Sequence, residues 1–209
     1  MMESEQHAQN WLKTSGVSDA AMTRLAHFID LLRVENTQQN LVSASSLDHV
    51  WQRHIADSAQ LHSHVPRGTD CRWLDLGTGA GFPGLVMAII RDDIAMTLVE
   101  SRRRRITWLE RVAAELELTN MTVVGQKLEA VPTSSVDVIS ARAFAPLDTL
   151  LALAGRFSTK RTLWLLPKGR SAVQEVEELH GWNHTFHVEP SITDPHAGII
   201  VGRLAAGKG

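Results

Sequence analysis

The chain has 209 residues, a formal net charge of −2, 44% hydrophobic and 21% charged residues. This globular composition has enough apolar surface to offset chain entropy, and its longest apolar run, Leu85 to Ile90, is far too short to span a membrane. The near-zero charge excludes a strongly basic nucleic-acid coat but leaves room for a local patch, and Arg102 to Arg105 is one.

The first residues, MMESEQHAQNW, carry no basic stretch followed by an apolar one, so no signal peptide is expected. The single cysteine, Cys71, excludes a disulfide framework and a four-cysteine zinc site, and fits a reducing, cytoplasmic setting. Residues 1–65 read as a helical extension. Leu25, Phe28, Ile29 and Leu32 form the stripe of an amphipathic helix that Ser18 and Asp19 open. Asn36 to Asn40 is a polar loop. Ser46 to His62 returns to helical spacing, with Leu47, Val50, Trp51, Ile55 and Leu61 as candidate core, and Pro66 to Gly68 closes the region.

From residue 66 to 209 strands and helices alternate. Strands are expected at Arg72–Leu76, Ile94–Glu100, Met121–Gly125, Val136–Ala141 and Arg161–Leu166. Helices are expected at Leu85–Ile90, Arg103–Leu116, Leu147–Arg156 and Ser171–Leu179. This order specifies an α/β fold, a parallel sheet with helices on both faces. Thr185–Glu189 and Gly198–Leu204 lack a helix between them and read as an antiparallel hairpin at the sheet edge. Ala205 to Gly209 reads as a frayed tail.

The densest signal is Asp75-Leu-Gly-Thr-Gly-Ala-Gly-Phe-Pro-Gly84. Gly79, Gly81 and Gly84 spell the dinucleotide fingerprint, whereas Gly77, Gly79 and Gly81 spell G-x-G-x-G behind an acid. A pyrophosphate needs backbone N–H groups and no fixed anion nearby. Asp75 ends the strand just before the turn, and Pro83 lacks a donor. The pattern therefore favours a cationic, phosphate-free ligand, S-adenosylmethionine, over NAD. Glu100, ending the next strand, is placed to accept ribose hydroxyls, a feature both ligands share.

Methyl transfer from a sulfonium is an in-line displacement in which the protein holds the nucleophile about 3 Å from the methyl and excludes water. The stretch Ser140-Ala-Arg-Ala-Phe-Ala-Pro146 lacks the motif used for adenine amines. Cys71 precedes the first strand, at the wrong end of the sheet to attack a pyrimidine. A ring nitrogen with a free lone pair, such as guanine N7, needs neither a base nor a covalent step, and Arg142 could orient a base edge. Methylation of a small molecule or a protein, a non-catalytic ribosome-binding module and an NAD-binding fold remain alternatives at this level.

The chain resembles the bacterial 16S ribosomal RNA guanine-N7 methyltransferases, the glucose-inhibited division protein B family. The resemblance is carried by Asp75–Gly84, Leu98-Val-Glu-Ser101, Ser140–Pro146, Leu166-Pro-Lys-Gly169, Asn40-Leu41 and Arg53-His-Ile-Ala-Asp-Ser58. It implies a Rossmann-like class I methyltransferase sheet, S-adenosylmethionine as donor and a guanine of 16S ribosomal RNA, in the small ribosomal subunit, as acceptor. It implies cofactor contacts at Gly77 and Phe82, backbone contacts around Leu128 and Glu129, and Arg142 at the junction of cofactor and substrate. Read from the glycine turn and the strand ends themselves, Asp75, Thr78, Gly79, Gly81 and Glu100 complete the cofactor candidates, and Arg142 is also the catalytic candidate. Lys127 stands where many members carry arginine, which keeps the charge and loses the planar fork.

Arg102 and Arg103, with Lys127, Phe144 and Lys168, are the RNA candidates. The arginine run lies at the sheet mouth, where phosphates would be contacted, although four cations at a helix start oppose its dipole and some could pair with Glu110 or nearby acids. Phe144 could stack on a flipped base or pack as a wall. No metal is expected. His62-x-His64 falls in a loop, and His54-x-x-Asp57 is equally explained by Arg53 pairing with Asp57 at i, i+4. A monomer is expected.

Overall fold

Ser18 accepts the amide of Ala21, and with Asp19 in the first turn it starts α2 (Asp19–Asn36) after a shorter α1 (Glu5–Thr14) capped by Ser4. The computed structural model describes residues 2–68 and 70–206. α2 buries Leu25, Phe28, Ile29 and Leu32, as the spacing predicts. After the turn come α3 (Ala44–Leu47), a π-helical turn at Trp51–Ala56, α4 (Asp57–Ala59) and a 3₁₀ turn at Gln60–His64. The expected single helix over Ser46–His62 is thus a chain of short, differently wound turns. Glu5 carboxylate oxygens accept the amides of Trp51 and Gln52 where that winding changes.

The alternating part forms β1 (Cys71–Leu76), α5 (Gly84–Ile90), β2 (Ile94–Val99), α6 (Arg103–Glu115), β3 (Met121–Val124), β4 (Val138–Ala141), α7 (Leu147–Ala154), β5 (Leu163–Lys168), α8 (Ala172–Glu177), β6 (Asn183–His184), β7 (His187–Pro190), β8 (Gly198–Gly202) and β9 (Leu204–Ala206). The main sheet has the order β3-β2-β1-β4-β5-β8-β7. Its first five strands are parallel, and β8 runs antiparallel between β5 and β7. The order reverses between β1 and β4, the place where such sheets bind ligands at their carboxyl ends.

Strand residues alternate between two apolar layers. Trp73, Met96, Leu98 and Leu165 pack with α2, α5 and α6 on one face, in a cluster continuous from Leu12 to Val201. Leu74, Leu76, Ile139, Trp164 and Leu166 pack with α7, Phe157 and Leu179 on the other.

Two expectations at the C-terminus need correction. The last strand breaks at Arg203, where Thr185 and Arg203 exchange hydrogen bonds, and its end pairs with the two-residue β6 in a separate ribbon. Ala205 and Ala206 therefore belong to β9 and not to a frayed tail, while 207–209 lie outside the described residues. Among the described residues no helix is long and apolar enough to cross a membrane.

Candidate active site

The glycine turn is pinned from beneath. Asp75 is fully buried: one oxygen accepts the Gly84 amide at 3.0 Å and the other accepts the Ser140 hydroxyl at 2.6 Å. Trp73 Nε1 donates to that same hydroxyl. Burial pushes the Asp75 carboxyl up to about 6, against the hydrogen bonds of Ser140 and Gly84 that favour its charged form. The Thr78 hydroxyl faces Asp75 closely enough to favour that charge, yet it is buried without a well-formed hydrogen bond. A Cβ at Gly84 would strike both Leu98 and Asp75, so only glycine lets α5 start this close to the sheet.

Glu100 follows β2 and is nearly buried. One oxygen accepts the amides of Ser101 and Arg102, and the other accepts Gly79 N–H at 3.1 Å, with Arg105 Nη1 at 3.7 Å. A carboxylate just ahead of α6 opposes the cost of starting a helix with arginines. Gly77, Val99, Glu100, Ser101, Leu128 and Phe144 line a crevice of about 220 Å³ at this mouth. Arg102 and Arg105 also line it and offset the charge of Glu100, so what the crevice offers an adenosine is the accepting Glu100 carboxylate and an apolar floor of Val99 and Leu128.

A second cleft, of about 680 Å³, opens beyond. Arg53, His54, Asp57, Arg142, Lys168 and Thr193 are among its walls, and Ala143 and Phe144 line both spaces. Phe144 lies against Gly77, on which any Cβ would meet its ring. Ala143, one residue before it, holds φ 52°, a conformation rare for a residue with a Cβ.

Arg142 reaches from the end of β4 to the π-helical turn. Its guanidinium lies over the Phe82 ring, 4.8 Å from the centroid. It donates to Asp57 Oδ2 at 3.3 Å and to His54 Nδ1 at 3.2 Å. His54 Nε2 is 2.9 Å from the Ser46 hydroxyl, and the His54 ring stacks on Phe82. Since the guanidinium can only donate, Nδ1 is the acceptor and Nε2 carries the proton. Burial first, then the charges of Arg142 and Arg53, push His54 down to about 3, so it is neutral at ordinary pH. The expected Arg53–Asp57 pair is replaced by Arg142–Asp57. Arg53 is exposed, and it meets Arg142 through its carbonyl, 3.5 Å from Nη1.

Against this geometry, residues 21–194 match the family model GidB, rRNA small subunit methyltransferase G. The ribosomal RNA small subunit methyltransferase G of Novosphingobium aromaticivorans is 58% identical over 208 residues, covering 98% of this chain and 90% of that protein. That of Zymomonas mobilis is 45% identical over 194 residues, covering 89% and 87%. The chain belongs to the rRNA small subunit methyltransferase G family.

Fold likeness extends beyond this family. A methyltransferase from Aquifex aeolicus, described as dependent on S-adenosylmethionine, superposes with TM-score 0.55 at 14% identity over 72% of this chain and 90% of that one. An rRNA methylase from Streptococcus thermophilus gives 0.52 at 12% identity over 74% and 98%. The fold is the Rossmann-like class I methyltransferase fold expected from the sequence.

The residues singled out in this member of the rRNA small subunit methyltransferase G family fall into distinct places. Gly77, Glu100, Arg102 and Leu128 line the crevice, and Gly79 bonds to Glu100. Gly81 packs under Leu85, Asp75 lies beneath the turn, and Phe82 is buried below Arg142. Lys127 and Glu129 are exposed beside the crevice and outside its lining. Arg102 and Arg103 are exposed without side-chain partners among the described residues, whereas Arg104 donates to the Gln38 carbonyl and Arg105 pairs with Glu100. Lys168 donates to Ala145 O at 2.8 Å and to Glu175 at 2.7 Å. Glu175 also accepts the Leu147 amide. Burial would raise its carboxyl, but the bonds to Lys168 and Ser171 outweigh burial and hold it below the usual range. Sequence reasoning missed Asp57, Glu175, Ser191 and Thr193 as parts of the cleft. The only signal for them was Asp57 within Arg53–Ser58.

Proposed function

We propose that the protein transfers a methyl group from S-adenosylmethionine to N7 of a guanine in 16S ribosomal RNA of the small subunit. Membership of the family makes it an S-adenosylmethionine-dependent methyltransferase of small-subunit ribosomal RNA. The observation that carries the finer reading is the wall shared by crevice and cleft at Ala143 and Phe144. A donor on one side and a base on the other would meet there, with Arg142 on the cleft side.

The crevice suits the cofactor. Glu100 stands where ribose hydroxyls could be accepted, Leu128 and Val99 offer an apolar floor, and the orphaned Thr78 hydroxyl lies beneath the turn. Bound there, the cofactor supplies an electrophilic methyl carbon. The chain's own residues hold and orient: Gly77, Gly79 and Glu100 seat the donor, and Asp75 acts from below by fixing the turn and lending it negative charge. Arg142 orients the base edge without acting as a base, because the N7 lone pair needs none. Phe144 offers a stacking face, and Arg102, Arg103 and Lys127 offer charge to RNA phosphates. Lys168 serves this site by holding the Ala145–Leu147 loop through Glu175. Residues 1–65 form a helical extension to a catalytic domain over 66–209, acting in the cytoplasm as a monomer.

Radiolabelled methyl transfer onto 30S particles lacking the modification, followed by nucleoside identification, tests this. N7-methylguanosine is expected. Label in another nucleoside, or in ribosomal protein alone, would overturn the acceptor assignment.

A further inference from the structure

We infer that Asp57 is a positioning residue for Arg142 and that it couples the guanidinium to the β7–β8 loop, Ser191–Ala197. The inference rests on the role given above to Arg142.

The two oxygens of Asp57 serve two different elements. Oδ2 accepts from Arg142 Nη1 at 3.3 Å. Oδ1 accepts the Thr193 hydroxyl at 2.8 Å and the Gln60 amide at 3.1 Å. The Thr193 hydrogen is committed to Asp57, so Ser191, 2.9 Å away, donates to Thr193 Oγ1. Gln60 locks the loop from its other end: its carbonyl accepts the Ile192 amide at 3.1 Å, and its Nε2 reaches the Ser191 hydroxyl at 3.3 Å.

Each of these donors has its acceptor, which makes the relay stiff. It joins segments more than 130 residues apart, Asp57 to Thr193, and ends on the guanidinium beside the junction of the two cavities. Thr193 and Asp194 line the acceptor cleft themselves. A base seated against that loop and the guanidinium meant to orient it are therefore held by the same carboxylate. Geometry of this kind matters because a displacement of about 1 Å in an orienting group can cost on the order of a hundredfold in rate.

Two substitutions separate the halves of the relay. Asp57→Asn keeps an acceptor for Thr193 and Gln60 but faces Arg142 with an amide. Thr193→Val keeps the Arg142 pair and cuts the direct link from Asp57 to the loop, leaving the Gln60 bonds in place. Each is measured alone and in an Arg142→Ala background for kcat and KM on 30S particles, with S-adenosylmethionine affinity by calorimetry. For Asp57→Asn, kcat is expected to fall about tenfold to a hundredfold with cofactor affinity unchanged. Thr193→Val should give a smaller fall in the same parameter. In the Arg142→Ala background both should be nearly silent, because a residue acting through Arg142 has nothing left to act on. Undiminished kcat in Asp57→Asn, or losses that multiply fully with Arg142→Ala, would show a merely structural carboxylate and overturn the inference. If Asp57→Asn does not fold, the Thr193→Val cycle decides alone. Full turnover in Arg142→Ala by itself would instead remove the role of Arg142, a distinct failure that takes the inference with it.

Discussion

Ser140 donates a 2.6 Å hydrogen bond to Asp75 across the β1–β4 pair, and the Trp73 indole donates into that same hydroxyl. The glycine turn therefore rests on a buried carboxylate with no surface of its own. Its contribution to a cationic ligand is its field and its grip on Gly84, and the two can be pulled apart. Asp75→Asn retains an acceptor for Gly84 and removes the charge. S-adenosylmethionine affinity is expected to fall by about tenfold, on the order of 1–2 kcal/mol for a charge interaction inside protein, while S-adenosylhomocysteine, which keeps the ammonium but has no sulfonium, loses less. Calorimetry with both ligands checks this; equal losses would mean that the grip matters and the field does not. Asp75→Ala leaves two buried donors unmatched and is expected to cost about 2–4 kcal/mol of folding stability by denaturant titration.

Phe144 divides the crevice from the cleft and lies on Gly77. Base–aromatic stacking contributes about 1–3 kcal/mol. Phe144→Ala is therefore expected to raise KM for 30S particles about tenfold or more and to change S-adenosylmethionine affinity much less. Steady-state kinetics beside calorimetry separates the two. A variant that loses cofactor affinity and keeps its KM would make Phe144 a wall of the donor crevice alone.

How far the site could be read in advance varied with the range of the forces that shape it. The sheet was legible because strand-length apolar runs alternate with amphipathic helices, and the parallel order follows from that alternation. Glu100 was legible because it ends a strand. The hydrogen bond that satisfies Asp75 in its buried place was not, because its donor, Ser140, is 65 residues away. Nor was Phe82 as the plate beneath Arg142, since its ring is turned by His54 and Phe28 from the N-terminal helices. The π turn at Trp51–Ala56 left no mark in the apolar spacing. The pairing of Asp57 with Arg142, 85 residues away, in place of Arg53 left none either. Likewise β6, two polar residues long, has no alternation to reveal it.

The cations near the site fall into two classes. Arg102 and Arg103 extend into solvent at the start of α6, whereas Lys168 is neutralised by Glu175 and 10% exposed. Replacing both arginines by glutamine is expected to flatten the dependence of log affinity on log salt by about 1.4, at roughly 0.7 for each phosphate that is no longer neutralised. Lys168→Met is expected to leave that slope alone and to cost about 1–3 kcal/mol of stability, because it strips Glu175 of its cation. Binding to 30S particles across a salt series, with thermal denaturation of each variant, checks both. A changed slope in Lys168→Met would return that lysine to the RNA surface.

His54 and Asp75 give folding stability a pH dependence of opposite sign. His54 in the folded chain refuses a proton down to about pH 3, against an ordinary value of 6.5. Between those values the unfolded chain binds the extra proton, so the stability tied to neutral His54 is complete above 6.5 and is lost as pH falls. Asp75 holds its proton up to about pH 6 when folded, against 3.8 ordinarily. Its contribution is complete below 3.8 and is lost as pH rises through 6. From pH 6.5 to 6 His54 acts alone, and from 6 to about 4 the two oppose each other. Single variants expose each limb. The stability gap between the wild type and His54→Gln should narrow as pH falls from 7 to 4, by at most about 1.4 kcal/mol per pH unit. The gap between the wild type and Asp75→Asn should move in the wild type's favour over pH 6 to 4. Urea titrations of the three proteins at several pH values measure both, and a gap that stays constant with pH would show that the residue concerned keeps its ordinary titration in the folded chain.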